Sequence, residues 1–252
     1  MTDPTTDDAT AETIADTTAM VAADLAPTGR LRASINLGNP VLVQGTPADP
    51  RGVTVDLARE LSARLGLDLD LLCFDAARKS LAAMVAGESD LCFLAVDPAR
   101  ALEVAFSEPY VLIEGVFAVP ASSAISTAAD VDRGGVRVGV KEGSAYDLHL
   151  SRTLTRATVV RGPEGTEVFE AQALEVAAGI REPVTAWAGS RDDLRVVEPA
   201  FMQIRQAVGV PRERRPETVA FVAAVVEELK ATGFVADSLR RSGQDATVAP
   251  PA

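Results

Sequence analysis

Between Leu31 and Val96 two hydrophobic patterns alternate, and this alternation constrains the fold more than anything else in the chain. LRASINL is a β-rich run closed by the turn Gly38-Asn39-Pro40. VTVDLARELSARLG sets Val55, Leu57, Leu61 and Leu65 at helical spacing and stops at Gly66. LDLDLLCF reads as a second strand, and SDLCFLAV as a third. Between them AARKSLAAMVAGE is a second helix, with Leu81, Met84 and Val85 on one face. Strand–helix–strand–helix–strand with short links reads as parallel strands joined by right-handed crossovers. Such α/β sheets take ligands beyond the carboxyl ends of their strands. The run FLAV ends at Asp97-Pro98-Ala99-Arg100, which leaves Arg100 just past one of those ends.

A second block repeats the theme. VRVGVKEGSAYDLHL is a strand, a Gly143-Ser144 turn and a helix; TRATVVRG is a strand; LEVAAGI and REPVTAW are strand then helix. Two strand-like crossings, VLIEGVFAVP and IRQAVGVP, flank this block. Pro216-Glu217 opens the helix TVAFVAAVVEELKATG, stopped by Gly233; a short helix FVADSLRRSG and a tail DATVAPPA follow. Two crossings at a waist describe a clamp of two α/β lobes. The expected division is 1–26 as an acidic tail, 27–115 plus 209–252 as one lobe, and 118–205 as the inserted other.

The chain has 252 residues and a net charge of −12, which argues against nucleic acid or an anionic membrane as partner. A small anionic ligand stays open, because a local arginine can outweigh the global sign. Cys73 and Cys92 sit in apolar runs and read as buried packing. One histidine and no Cys/His cluster give no expected metal site, and no cofactor is expected. No stretch reaches the ~18 apolar residues of a membrane helix. The start, MTDPTTDDATAETIADTTAM, lacks the basic residues and apolar core of a secretory signal, so the expected location is cytoplasmic, or extracellular if the sequence is trimmed. Residues 1–26 are expected to be disordered or partly helical, with VAADL the segment able to dock.

The segments LRASINLGNP, GVTVDLARELSARLGLDLDL, AGESDLCFLAVDPARALEVAFSEPY, VRVGVKEGSAYD and VVEELKATGFVADSL, in this order, resemble the family-3 extracellular solute-binding proteins. The resemblance spans about Leu31 to Gly243 and implies the periplasmic-binding-protein type II fold. Family members usually carry a Thr-x-x-Arg stretch whose arginine clasps a ligand carboxylate; here Asp97-Pro98-Ala99-Arg100 holds that place. A guanidinium fork can give one carboxylate two parallel charge-assisted hydrogen bonds. Ala95 and Asp97 stand where hydroxyl residues are often found, and Asp97 can instead cap the segment after it. Gly143-Ser144-Ala145 matches the turn that offers N–H groups and a hydroxyl to the same carboxylate, at a helix N-terminus. Asn36, Phe74 and Asp75, at strand ends, are further cleft candidates or simple turn residues.

Amino-acid binders of the family usually hold the ligand ammonium with an Asp two residues before a Pro. In REPVTAW that position is Arg181, which can neither accept a hydrogen bond nor neutralise an ammonium. The expectation is a dicarboxylate or carboxylated heterocycle facing Arg100 and Arg181; a slip of one residue would install Glu182 and restore amino-acid binding. Lys141 and Glu142 can reach the cleft mouth, His149 is expected on the surface, Trp187 in a core and Tyr110 near the hinge. The expected activity is ligand binding, with hand-over to an ABC permease if the chain is exported. The alternative is a lyase or dehydratase on the same clamp, with Glu142, Lys141, Asp75, Glu182 or Cys92 as acid, base or nucleophile.

Overall fold

The computed structural model describes residues 5–252, with side chains from residue 15 onward. Helix α1 (Thr5–Leu25) takes most of the segment read as a tail, and residues 1–4 lie outside the described residues. Its end docks: Val21 and Leu25 are fully buried in the main core. Asp24 accepts from Thr218 Oγ1 (2.6 Å) and the Arg215 amide (3.1 Å), which ties it to the last long helix.

The first half follows the expected alternation. β1 (Arg30–Asn36) is followed by a hairpin not foreseen in the sequence, β2 (Gln44–Thr46) and β3 (Asp49–Arg51). Helix α2 (Val53–Leu65) buries Val53, Val55, Leu57, Ala58, Leu61 and Leu65 on one side and ends on Gly66 in the left-handed conformation. β4 (Asp68–Phe74), α3 (Ala77–Val85) and β5 (Leu91–Ala95) complete the unit. β1 lies between β4 and β5 and is parallel to both. Every residue of β5 is buried, as befits a strand paired on both sides, parallel to β1 and antiparallel to a later strand. On α3 the buried face is Ser80, Ala83 and Met84, while Val85 faces out.

After a short 3-10 turn (Arg100–Leu102) and β6 (Val104–Phe106), the chain enters β7 (Val111–Pro120). The second half contains β8 (Arg137–Lys141), α4 (Ala145–Thr153), β9 (Thr158–Gly162), α5 (Gly165–Ala171), β10 (Val176–Ile180) and α6 (Arg181–Gly189). β11 (Leu194–Pro211) then runs antiparallel to β7 along both halves: Leu194–Val197 pair with Phe117–Pro120, and Met202–Gln206 with Val111–Gly115. Gln206–Gly209 are already paired with β5 of the first half, so this crossing lies nearer 198–203 than 204–210. Because β7 and β11 belong to both halves, the strands form one hydrogen-bonded order, β4-β1-β5-β11-β7-β10-β8-β9.

Helices α7 (Pro216–Ala231) and α8 (Phe234–Arg241) return to the first half, against α1 and α2. The closing segment is more than a tail: β12 (Thr247–Val248) pairs with Val111 and Leu112 of β7. The end of α1 and the closing segment therefore pack on the same half. Tyr110, fully buried at the entry to β7, stands 3.4 Å from Thr54 Oγ1, the packing role expected of it.

Candidate functional site

β5 is buried on both faces, so its chain can turn only beyond Ala95, and Asp97 makes the turn by accepting from the Ala99 amide at 2.9 Å. Arg100 therefore follows directly behind the strand end. Its side chain folds back into the protein, only 2% exposed, and donates from Nη1 to the Ala95 carbonyl and from Nη2 to the Gly143 carbonyl, both at 3.0 Å. The second bond crosses from one half to the other. Two of the five guanidinium N–H groups are thus spent on carbonyls. No carboxylate lies within ion-pair distance of Arg100 among the described residues. Burial makes the guanidinium harder to protonate, an effect opposed by the nearby Asp97 charge.

Opposite stands the first turn of α4. Ser144 caps it, its Oγ accepting from the Asp147 amide at 3.0 Å. The sequence reading expected the Gly143 amide to be free for ligand, and here the structure differs. Asp147 Oδ2 takes that amide at 2.8 Å, the Lys141 carbonyl takes the Ser144 amide at 3.1 Å, and Gly143 offers its carbonyl to Arg100. The amides of Ala145 and Tyr146 are the first-turn donors left over, and the Ser144 hydroxyl stands beside the Tyr146 phenol.

Arg100, Ser144, Ala145, Ala95 and Asn36 line one cavity of about 40 Å³ between the halves. The same cavity is walled by Asn39, Lys141, Glu142, Tyr146, Ile204 and Gln206. A second cavity of about 240 Å³ adjoins it and shares Gly38, Tyr146 and Ile180; Pro40, Val184, Pro183 and Trp187 make its apolar side. Tyr146, Asn39 and Gln206 escaped the sequence reading. Gln206 carried a signal: it opens the run Gln206–Pro211, otherwise without polar side chains, and lies two residues after Ile204, so both face one side. Trp187, expected in a core, packs edge-on against Phe169 (5.6 Å between ring centres) while also reaching this cavity.

Gly143 lines neither cavity, and three further expected residues lie elsewhere. Phe74 and Asp75 do not line the cavity, because β4 is the outer strand and its end lies one strand away. The Phe74 carbonyl accepts from the Leu37 amide, and Asp75 pairs with Lys79 at 2.7 Å in the open. Arg181 also fails to line either cavity. It starts α6 and turns to the crossing strands, pairing with Glu114 of β7 and bidentately with Glu198 of β11 (2.5 and 2.9 Å). Two carboxylates there are a better environment than a cleft already holding Arg100 and Lys141, whose like charge would repel it. Glu198 is held below its ordinary value by that guanidinium. Glu182, the alternative in a shifted register, is exposed and outside both cavities. Cys92 is fully buried and its thiol is pushed up to about 12, which leaves no thiolate at neutral pH.

The halves meet along a polar seam beside the cavity. Arg78 Nε of α3 lies 3.1 Å from Glu142, Arg152 of α4 lies 2.7 Å from Asp97, and Gly143 packs on the Arg78 stem. Lys141, mostly buried, is paired with Glu164.

The model of the bacterial extracellular solute-binding proteins, family 3, matches residues 35–242. The chain belongs to that family. Among solved structures, a mutant of ArgBP from T. maritima matches with TM-score 0.72 at 21% identity, over 89% of this chain and 99% of that one. A binding component of an ABC transporter from Wolinella succinogenes, complexed with lysine, matches with TM-score 0.70 at 16% identity, over 84% and 95%. The ancestral amino-acid-binding protein AncCDT-1, a precursor of cyclohexadienyl dehydratase, matches with TM-score 0.67 at 20% identity, over 86% and 96%. No curated protein matches the chain. The family-3 chain therefore has the two-lobed type II clamp, and no described helix is long and apolar enough to cross a membrane.

Proposed function

We propose that this family-3 protein binds a small carboxylate-bearing solute between its lobes, with Arg100 as the anchor. One observation carries the reading: Arg100 is almost fully buried, faces a cavity and lacks a carboxylate of its own among the described residues. A buried charge without a counter-charge costs several kcal/mol. A ligand carboxylate beside it removes that cost, and the Ser144 hydroxyl and the Ala145 and Tyr146 amides stand on the opposite wall to share its oxygens. The dicarboxylate expectation loses its support, because Arg181 is occupied by Glu114 and Glu198. The reading extends to hand-over of the solute to an ABC permease, in line with neighbours that are substrate-binding proteins of ABC transporters. That hand-over needs the chain outside the cytoplasm, where the family's description puts its members.

The test begins with native mass spectrometry of the purified protein, to identify what it carries. Arg100→Ala is expected to weaken calorimetric binding of that solute by about 2–5 kcal/mol, some 30-fold to several thousand-fold. Unchanged binding in Arg100→Ala refutes the reading. The solute is expected to come off the protein with its mass unchanged after prolonged incubation; a changed mass would assign the clamp to an enzyme.

A further inference from the structure

Resting on the carboxylate reading, we infer that the second polar group of the ligand is neutral, a hydroxyl or carbonyl, and that an α-ammonium is disfavoured. The charges that line the two cavities decide this. Their charged walls are Arg100, Lys141, Glu142 and Glu164. Each carboxylate already carries a cation: Arg78 sits on Glu142 at 3.1 Å, and Lys141 on Glu164. A zwitterion would satisfy Arg100 and leave its ammonium dehydrated with no carboxylate to itself, a costly state.

What waits instead is neutral. Gln206 and Asn39 line the first cavity at 6% and 5% exposure. The Asn39 Oδ1 accepts from the Val41 amide at 3.2 Å, and Asn36 Oδ1 from the Gly38 amide at 3.1 Å, which leaves the NH₂ group of each without a partner among the described residues. The Gln206 side-chain amide has no hydrogen-bond partner among the described residues. A ligand hydroxyl or carbonyl accepts from side-chain NH₂ groups of this kind, which an ammonium cannot do. Beyond them the larger cavity, with Pro40, Val184 and Trp187 on its walls, gives room for an apolar tail. The ligand class is a monocarboxylate with a neutral oxygen near the carboxylate and an apolar or aromatic body.

Two matched sets of acids test this by calorimetry: leucine, 2-hydroxy-4-methylpentanoate, 2-oxo-4-methylpentanoate and 4-methylpentanoate, and the corresponding phenylalanine, 3-phenyllactate, phenylpyruvate and 3-phenylpropionate. In at least one set the hydroxy or oxo acid is expected to bind at least tenfold more tightly than the amino acid. It should also bind more tightly than the plain acid, and Gln206→Leu should shrink that second gap at least fivefold. An amino acid bound as tightly or more tightly, with binding lost in Arg100→Ala, overturns the inference and leaves the carboxylate reading standing. Hydroxy-acid binding undiminished by Arg100→Ala overturns the carboxylate reading. Binding of none of the eight acids overturns both.

Discussion

Replacing Gly143 by alanine separates backbone strain from contact between the lobes. Gly143 has φ +69°, and a Cβ there would lie 2.7 Å from Arg78 Cβ and 3.1 Å from Arg78 Cδ. Gly66, at the end of α2, has nearly the same φ of +63° with nothing within 4 Å of an added Cβ. Gly66→Ala therefore measures strain alone, about 1–2 kcal/mol, or roughly 2–8 °C in Tm for a chain of this size. Gly143→Ala carries the same strain plus a wedge. Carbon atoms rest about 3.5–4.0 Å apart, so the seam must open by ~1 Å at that point. Such an opening stretches the 3.0 Å bond from Arg100 to the Gly143 carbonyl past hydrogen-bonding distance. It also slackens the half-exposed Arg78–Glu142 pair, which is worth at most ~1 kcal/mol. The added loss is about 1–3 kcal/mol, spent on the closed arrangement rather than on either core. Urea unfolding of both variants gives the difference, and solution scattering should show a larger radius of gyration for Gly143→Ala only. Equal destabilisation and superimposable scattering curves would refute the claim that this glycine is required by lobe-to-lobe contact.

Two further predictions concern titration. Burial, reinforced by Arg152 and opposed by Asp97, lowers the proton affinity of His149 in the folded chain below its ordinary value near 6.5. The unfolded chain then binds more protons, so this contribution to stability is complete above pH ~6.5 and is lost as the pH falls through the folded-state value. Since His149 is the only histidine, Tm measured from pH 7.5 to 5.5 should fall less in His149→Gln than in the natural chain; parallel curves would refute the assignment. Iodoacetamide at pH 8 should leave Cys92 unmodified in the folded protein and label it fully in guanidinium, as mass spectrometry of its peptide reads directly. Native labelling of Cys92 at the unfolded rate would contradict its burial.

By itself the sequence determined most of the helices and strands and their order, the β2–β3 hairpin and β12 apart, because hydrophobic period is a local property of the chain. Val55, Leu57, Leu61 and Leu65 lie on the buried face of α2, and the apolar run Leu91–Ala95 is the central strand behind Arg100. The place of Arg100 past that strand was equally legible, since strand ends follow from the same pattern. Partnership was not. Arg181 and Arg100 are both arginines after strands, and only the tertiary structure hands one to Glu114 and Glu198 and leaves the other facing a cavity. Likewise Asp147 takes the Gly143 amide by looping back four residues past the helix cap, a choice that the Gly-Ser motif does not reveal. Gln206 and Asn39, far apart along the chain, come to line one cavity with Arg100 through strand pairing and a turn. Period and turn chemistry act over a few residues. Which charge meets which depends on the geometry of the closed lobes, where Coulomb attraction and desolvation compete over distances of a few ångströms.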